Sequence, residues 1–193
     1  MWFLRRPGAS VLDELLARLR DAPLSYPERG MSLGEVSVPT HYHCERHRVA
    51  LDVDFDAAKA ALAAFATHRL HYMFLHPEAP SVRLGLDVIV CARIGPVWTA
   101  NPCRVVAVNE SPDRFAYAYG TLPGHSEHGE ESFAVERVRE GGVLRVYGET
   151  VAYARPQDIL ARLGEPIAHR VQASIKVDYM AALVAAVSRH AAR

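Results

Sequence analysis

The sequence predicts an α+β fold in which a curved antiparallel sheet of about six strands grips a long C-terminal helix. From residue 85 onward the hydrophobic pattern has a period of two through five consecutive segments. Short turn signals separate these segments, so neighbours are expected to pair as hairpins. The last and longest periodic segment has the four-residue spacing of an amphipathic helix, which suits it to cover one face of the sheet.

The N-terminal part predicts one helix followed by an irregular connection. The stretch "SVLDELLARLRDAP" carries leucines at helical spacing and ends before Pro23, which places an amphipathic helix within residues 1–22. The following "LSYPERGMSLGEVSVPTHYH" is rich in Pro, Gly and Ser and predicts an extended linker.

The sheet is expected to occupy residues 45–155, with one helix inserted after its first strand. "ERHRVALDVD" alternates apolar and polar residues as a strand does. "DAAKAALAAFATHRL" is rich in alanine and predicts a helix near residues 55–70. The next stretch, "HPEAPSVRLG", is expected to be a turn-rich break.

Five further strands complete the predicted sheet as an antiparallel meander, because no segment between them is long enough for a parallel crossover. They are "GLDVIVCARI", "CRVVAVNES", "RFAYAYGTL", "ESFAVERV" and "VLRVYGETVAYA".

The C-terminal part predicts helices over residues 156–190. "PQDILARLG" is bounded by Pro156 and Gly164, which are helix start and stop signals. The longer "IAHRVQASIKVDYMAALVAAVSRH" places apolar residues every four positions. With 193 residues the whole chain, 1–193, is expected to form a single domain.

Charge and composition argue against several classes of partner. Twenty-two basic residues balance 22 acidic ones, so no basic face for nucleic acid is expected. A net charge near zero favours self-association, and a homodimer is a possible state.

The chain has no run of roughly 18 apolar residues and no secretory pattern, which predicts no membrane span and a cytoplasmic protein. Cys44, Cys91 and Cys103 are expected to be free thiols.

A cavity is expected between the sheet and the C-terminal helix if side chains do not fill that space. In "RFAYAYG" and in "VYGETVAYA" one face of the strand is bulky and the other is small. Small residues under the helix leave room for an apolar ligand. A fully packed core is the alternative, and the sequence leaves both open.

The stretch "YGTLPGHSEHGEESF", with "GPVWTANPCRVVAV" before it and "YARPQDILARLGEPIAHRVQ" after it, resembles an uncharacterised bacterial and plant family, the domain of unknown function 1990 (UPF0548-like). The resemblance extends back to "YPERGMS" and therefore covers nearly the whole chain. The element order is similar to the helix-grip architecture of the START and Bet v 1-like (SRPBCC) superfamily. That resemblance implies binding of lipids, sterols or other apolar molecules, and in some members cyclase or hydrolase activity.

The polar end of the expected pocket lies in this same stretch, at Tyr119, Thr121, His125, Glu130 and Glu131. Adjacent residues of a strand point to opposite faces, so one of the two glutamates is expected to enter the pocket. Burial there would raise its pKa and suit it to acid–base work, with His125 as partner. The alternative is that these residues only hold the turn.

Trp98 and Asn101 are further candidates for ligand binding, although Asn101 also suits a turn cap. Metal binding is not expected, since His125 and His128 lack a nearby cysteine and His41, His43 and His47 resemble a metal tract only in composition. No cofactor is predicted. Three arginines are expected either to pair with the glutamates or to recognise an anionic head group. They are Arg155, Arg162 and Arg170.

Three functions remain open from the sequence. The leading hypothesis is a protein that binds a small apolar or amphipathic ligand between sheet and helix. The second is a hydrolase or proton-transfer enzyme of the same fold that uses Glu130 or Glu131 with His125. The third is a protein-interaction module that docks through the loop and the N-terminal helix.

Overall fold

A computed structural model describes residues 1–78, 81–156 and 165–191 of the chain. These residues form eight strands and three α-helices. The elements are β1 (Trp2–Phe3), α1 (Ala9–Leu19), β2 (His43–Leu51), α2 (Phe55–Ala63), β3 (Met73–His76), β4 (Asp87–Ile94), β5 (Val97–Ser111), β6 (Arg114–Thr121), β7 (Glu127–Glu140), β8 (Val143–Pro156) and α3 (Glu165–Ala191).

All the strands belong to one antiparallel sheet, in the order β2-β8-β7-β6-β5-β4-β3, and β1 pairs with β5. Consecutive strands pair with each other from β3 through to β8. Gly, Pro or Asp lies in each connection between them, as is usual where a chain reverses direction. The predicted α+β class, with an antiparallel sheet and a long C-terminal helix, is confirmed. The sheet has two strands more than expected, since β1 and β3 are too short for a period of two to be visible.

The inserted helix is shorter than the sequence suggests. Asp54 caps α2 by accepting a hydrogen bond from the Ala57 amide. The helix ends at Ala63 because Phe65 takes a left-handed conformation with φ of 53°. A short 3₁₀ turn, Ala66–His68, occupies residues in which the sequence predicts the end of the helix. Strand β3 precedes the predicted turn-rich break and shares only His76 with it.

The two faces of the sheet are covered by different parts of the chain. We call the side that packs against α2 and α3 the grip face; in β7 it carries Glu131, Phe133 and Val135, of which the two apolar side chains join the main core. The opposite side, the back face, carries Glu130 and Ser132 and is covered by α1 and residues 24–42.

Alternation along two strands explains how the grip face is filled. In β6 the bulky residues Phe115, Tyr117 and Tyr119 lie on the grip face and are buried. In β8 the small residues lie there, since a Cβ at Gly148 would meet Met180 of α3. The sheet thus presents a bulky strand and a small strand to the same side.

The N-terminal helix packs on the back face with its own leucines. Leu12, Leu15 and Leu19 are buried and form a cluster with Ile89 and Cys91 of β4. The apolar stripe of α1 is therefore used within this chain. Pro156, at which the sequence predicts a helix "PQDILARLG" to begin, is the last residue of β8. The rest of that predicted helix, with Arg162, lies outside the described residues, as does the side chain of Arg170.

Candidate functional site

A cluster of aromatic rings forms the floor of the grip face, with His68 among them. The His68 ring centre lies 5.1 Å from that of Phe133 and 5.0 Å from that of Tyr179 on α3. Tyr117 stacks on Phe133 at 5.2 Å. His68, Tyr117 and Phe133 have no exposed surface. This part of the space between sheet and helix is packed by side chains.

Glu131 lies at the edge of this aromatic floor. In the register of the sheet it stands between Tyr119 of β6 and Ala152 of β8. The Tyr119 hydroxyl donates a 2.7 Å hydrogen bond to Glu131 Oε2. Burial raises the pKa of the Glu131 carboxyl, while the charge of Lys176 and the bond from Tyr119 oppose the increase. The side chain is half-buried, and its surroundings favour the protonated form more than water does.

Lys176 brings a buried ammonium group from α3 to the same place. Its side chain is almost fully covered, and its Nζ forms an ion pair with Glu45 of β2. Glu45 and Glu131 are neighbours across β8, because both stand opposite Ala152. The charges of Glu45 and Glu127 both raise the pKa of Glu131.

A chain of hydrogen bonds links Glu131 to the interior. His68 Nε2 lies 3.2 Å from the Tyr119 hydroxyl, and His68 Nδ1 lies 2.9 Å from the Thr67 hydroxyl. Burial lowers the pKa of His68 to about 3, so the ring is neutral at physiological pH. When Tyr119 donates to Glu131, His68 donates from Nε2 and accepts at Nδ1, which assigns its tautomer from the network.

Glu130 points to the back face, where it accepts four hydrogen bonds, whereas Glu131 accepts one from Tyr119. Its Oε2 accepts from the Tyr26 hydroxyl at 2.8 Å and from the Gly30 amide at 2.9 Å. Its Oε1 accepts from the Ser32 amide at 3.0 Å and from the Ser32 hydroxyl at 2.6 Å. These four bonds fasten the segment after α1 to β7.

His125 and Thr121 lie in the connection between β6 and β7. His125 Nδ1 accepts the Glu127 amide proton at 2.9 Å, and burial lowers the pKa of the ring to about 3. Within the described ranges no hydrogen bond or ion pair joins His125 to Glu131. The Thr121 hydroxyl accepts from the Gly129 amide at 3.0 Å and lies 2.5 Å from that of Ser25.

Asn101 and Trp98 lie on β5, away from the aromatic floor. Asn101 Oδ1 accepts from the Ser126 hydroxyl at 3.1 Å, which ties the β6–β7 connection to β5. The Trp98 ring lies 5.7 Å from that of Phe74, beside Arg6.

The structure therefore brings together Tyr119 and Glu131 from the predicted set and places the other five candidates elsewhere. Ligand binding by each of them stays a prediction. Sequence reasoning missed His68, Lys176 and Glu45, which come from a helix end, from α3 and from the opposite sheet edge. No local pattern marks these residues, since only tertiary packing brings them to Glu131.

Several smaller expectations concern cysteines, arginine and metals. Cys44 is an exposed thiol, whereas Cys91 and Cys103 are buried thiols whose pKa values burial raises. Arg155 lies over the Tyr42 ring at 5.6 Å. Among the described residues no group of three or more His, Cys, Asp or Glu side chains is arranged to hold a metal ion. None of the helices in these residues has the length and apolarity that crossing a membrane requires.

An antiparallel sheet over a long C-terminal helix, with two short helical elements after its first long strand, defines the Bet v 1-like helix-grip class. Ara h 8.0201 matches 76% of this chain over 99% of its own, with a TM-score of 0.52 and 12% identity. A hypothetical protein from Helicobacter pylori matches 84% of this chain over 95% of its own, with a TM-score of 0.52 and 13% identity. These likenesses show the fold.

The family is shown by the sequence comparisons. The model of the family "Domain of unknown function (DUF1990)" matches residues 25–182, and this chain belongs to that family. A UPF0548 protein from Deinococcus radiodurans is 31% identical over 185 residues, which are 89% of this chain and 91% of that one. One from Dictyostelium discoideum is 23% identical over 199 residues, 92% of each chain. The resemblance seen in the sequence is confirmed.

Proposed function

We propose that this protein binds a small amphipathic molecule at the grip face, with the polar group of the molecule at Glu131 and its apolar body against neighbouring apolar surface. The observation that carries the proposal is the half-buried Glu131 carboxyl beside a floor of aromatic rings. A carboxyl in such a place costs stability, and the fold already has Glu130 as its anchor on the other face. A titratable group that is kept in a place where its burial reduces stability is typical of a functional site.

Small side chains leave room beside this carboxyl. Ala152 stands between Glu131 and Glu45, and Ala154 stands between Gly129 and His43. Both alanines are partly exposed. The grip face is therefore bulky at β6 and shallow at β8, and the shallow side lies next to the polar groups. A ligand that lies over Ala152 reaches Glu131 directly.

Glu131 retains capacity for a ligand. Tyr119 bonds Oε2, and no hydrogen bond from the described residues reaches Oε1. A ligand donor at Oε1 would satisfy this oxygen and reduce the cost of its burial, which makes binding favourable at this atom.

A pair of substitutions in β8 tests the proposal. Ala152→Leu fills the space beside Glu131, whereas Val151→Leu enlarges the neighbouring residue on the opposite face and is the matched control. Titration with Nile red, an uncharged apolar dye, should show affinity lowered at least about tenfold in Ala152→Leu and unchanged in Val151→Leu. Native mass spectrometry of the purified protein should show a co-purified small molecule that Ala152→Leu loses. Equal dye binding by both variants would contradict the proposal.

A second function, proton transfer, is favoured by the hydrogen-bond chain from Thr67 through His68 and Tyr119 to Glu131. A carboxyl with a raised pKa next to a neutral imidazole can exchange a proton through the hydroxyl between them. Hydrolysis of a panel of p-nitrophenyl esters tests this idea. Any activity should fall about 100-fold or more in Glu131→Gln and persist in Glu136→Gln, which changes a partly exposed glutamate on the opposite face of the same strand. Activity that survives Glu131→Gln excludes this role.

The interaction-module hypothesis relied on the N-terminal helix, whose leucines are buried against this chain's own sheet. The homodimer and the cytoplasmic location stay predictions. Size-exclusion chromatography with light scattering tests the first.

A further inference from the structure

Strand β1 holds a large apolar side chain out in water. Trp2 stands opposite Thr99 of β5, and the next residue, Phe3, packs on the back face against the leucine cluster of α1. Because successive residues of a strand point to opposite faces, Trp2 is turned to the other side, where it is 62% exposed. Leu4, two residues further on, is 86% exposed. Pairing of the backbone with β5 therefore fixes an exposed tryptophan in place, next to an exposed leucine.

The hairpin between β4 and β5 extends this exposed apolar surface. Thr99 also pairs with Ala92 of β4, so β1 and β4 lie on either side of β5. Ile94 comes two residues after Ala92, which places it on the same face as Trp2, and it is 38% exposed. We call these three exposed residues the apolar tip: Trp2, Leu4 and Ile94.

Three arginines flank the apolar tip, and all of them are exposed. Arg5 and Arg6 directly follow the leucine of the tip, and Arg93 directly precedes its isoleucine. The segments from which the tip and these arginines come, residues 1–12 and 88–109, contain no Asp or Glu. This positive charge is local, because the whole chain has 22 basic and 22 acidic residues. Exposed apolar side chains and arginines therefore occur together at this end of the sheet.

This combination of side chains matches the surface of a lipid bilayer. Tryptophan is enriched at the level of the lipid head groups, because its ring is apolar and its indole N–H still finds a hydrogen-bond partner there. Leucine and isoleucine gain free energy when the boundary with the acyl chains removes them from water. Arginine forms paired hydrogen bonds to phosphate, and the negative potential of anionic lipids attracts it.

We propose that the apolar tip docks this protein onto the surface of an anionic lipid bilayer. The tip enters the head-group layer, and the three flanking arginines bond lipid phosphates. The contact is peripheral, and the rest of the sheet remains in water. This inference does not depend on Glu131 or on ligand binding at the grip face, so either proposal can fail without the other.

Sedimentation with lipid vesicles tests the docking. Vesicles of phosphatidylcholine with about 30% phosphatidylglycerol are compared with vesicles of phosphatidylcholine alone. The native protein should bind the anionic vesicles at least about tenfold more tightly, and this binding should weaken as the salt concentration increases. The combined substitution Trp2→Ser and Leu4→Ser should lower the affinity for anionic vesicles at least about tenfold. Both side chains are exposed, so this variant is expected to fold, which its urea unfolding checks.

The hairpin between β7 and β8 supplies the matched control. It lies at the opposite end of the sheet from the β4–β5 hairpin, because β5, β6 and β7 run in alternating directions. Val143 and Leu144 of this hairpin are 59% and 51% exposed. The combined substitution Val143→Ser and Leu144→Ser removes a similar apolar pair and should leave vesicle binding unchanged. Arg5→Gln combined with Arg6→Gln should reduce the preference for anionic over neutral vesicles at least about tenfold.

Three results would overturn the docking proposal. The first is native protein that stays in solution with both kinds of vesicle. The second is a Trp2→Ser and Leu4→Ser variant that is folded and binds anionic vesicles as tightly as the native protein, since another surface would then meet the bilayer. The third is a dimer, seen by light scattering, that this variant converts to a monomer while neither form binds vesicles. In that case the tip contacts a second copy of the chain and not lipid.

Discussion

Glu130 and Glu131 are consecutive residues of β7, yet they have opposite surroundings. On the back face Glu130 accepts four hydrogen bonds from Tyr26, Gly30 and Ser32. On the grip face Glu131 accepts one from Tyr119, and burial raises its pKa. A carboxylate with all its oxygen lone pairs bonded fixes a structure, while one with an open oxygen can bind something else. The comparison separates an anchor from a candidate binding group within one dipeptide.

The largest effect is expected when the anchor is changed. In Glu130→Gln an amide nitrogen replaces one oxygen and faces two donors, which are left unpaired in a buried place. Unfolding in urea should show a loss of about 3 kcal/mol or more. Glu131→Gln is the matched control, and an equal loss in both variants would remove the distinction between the two faces.

Glu131→Gln itself should be as stable as the native protein at pH 7, or more stable. The raised folded-state pKa means that ionisation above the unfolded-state pKa, about 4.3, destabilises the native state. The substitution removes that penalty. Its advantage should therefore be largest at neutral pH and disappear as the pH falls below about 4, where both states hold the proton. Urea unfolding at pH 7 and pH 4 measures the difference.

Substitutions at Gly120 and Gly148 test how rigid the layers are that cover the back face and the grip face of the sheet. A Cβ at Gly120 would meet the Tyr26 ring, with Cζ at 2.8 Å, and this ring is held by Glu130. A Cβ at Gly148 would meet the flexible end of Met180, with Sδ at 2.5 Å. Gly120→Ala should cost about 1–3 kcal/mol and Gly148→Ala less than about 1 kcal/mol. Thermal and urea unfolding of both variants test the order, and a reversed order would show the grip face to be the more rigid.

The buried histidine makes stability depend on pH. Because the folded-state pKa of His68 is depressed to about 3, its contribution is fully present above the unfolded-state pKa, about 6.5, and is lost as the pH falls toward 3. The loss approaches about 1.4 kcal/mol per pH unit for this group. His68→Gln should reduce the slope of unfolding free energy between pH 6.5 and 4.5, whereas His71→Gln is the control for an exposed histidine. An unchanged slope in His68→Gln would contradict the neutral assignment.

The smallest effect is expected at the hydroxyl that joins His68 to Glu131. Tyr119→Phe removes a bond that lowers the Glu131 pKa, so this pKa should increase further. Stability should change by about 1 kcal/mol or less. Carboxyl chemical shifts followed by NMR over pH measure the change. A fall in the Glu131 pKa would show that Tyr119 accepts from the carboxyl rather than donating to it.

The fold is predictable from the sequence because its signals are local. Turn residues fix the hairpins from β4 to β8, and alternation fixes that Glu130 and Glu131 face opposite ways. Which face receives α3 depends on packing over long distances, and neighbouring residues do not encode it. His68 reaches the core because Phe65 adopts a left-handed conformation, which no local pattern announces for a phenylalanine. From the sequence alone Lys176 is expected to be solvated, because its ion-pair partner Glu45 is 131 residues away in the chain.

The partners of Glu130 have a consequence for the order of folding. They lie 98 to 104 residues earlier in the chain. During synthesis at about 5–20 residues per second, Tyr26 and Ser32 leave the ribosome many seconds before β7 exists. The segment that covers the back face must therefore wait for its anchor, and contacts so distant in sequence form slowly. We therefore expect the segment from Tyr26 to Ser32 to dock only after the hairpin of β6 and β7 has formed.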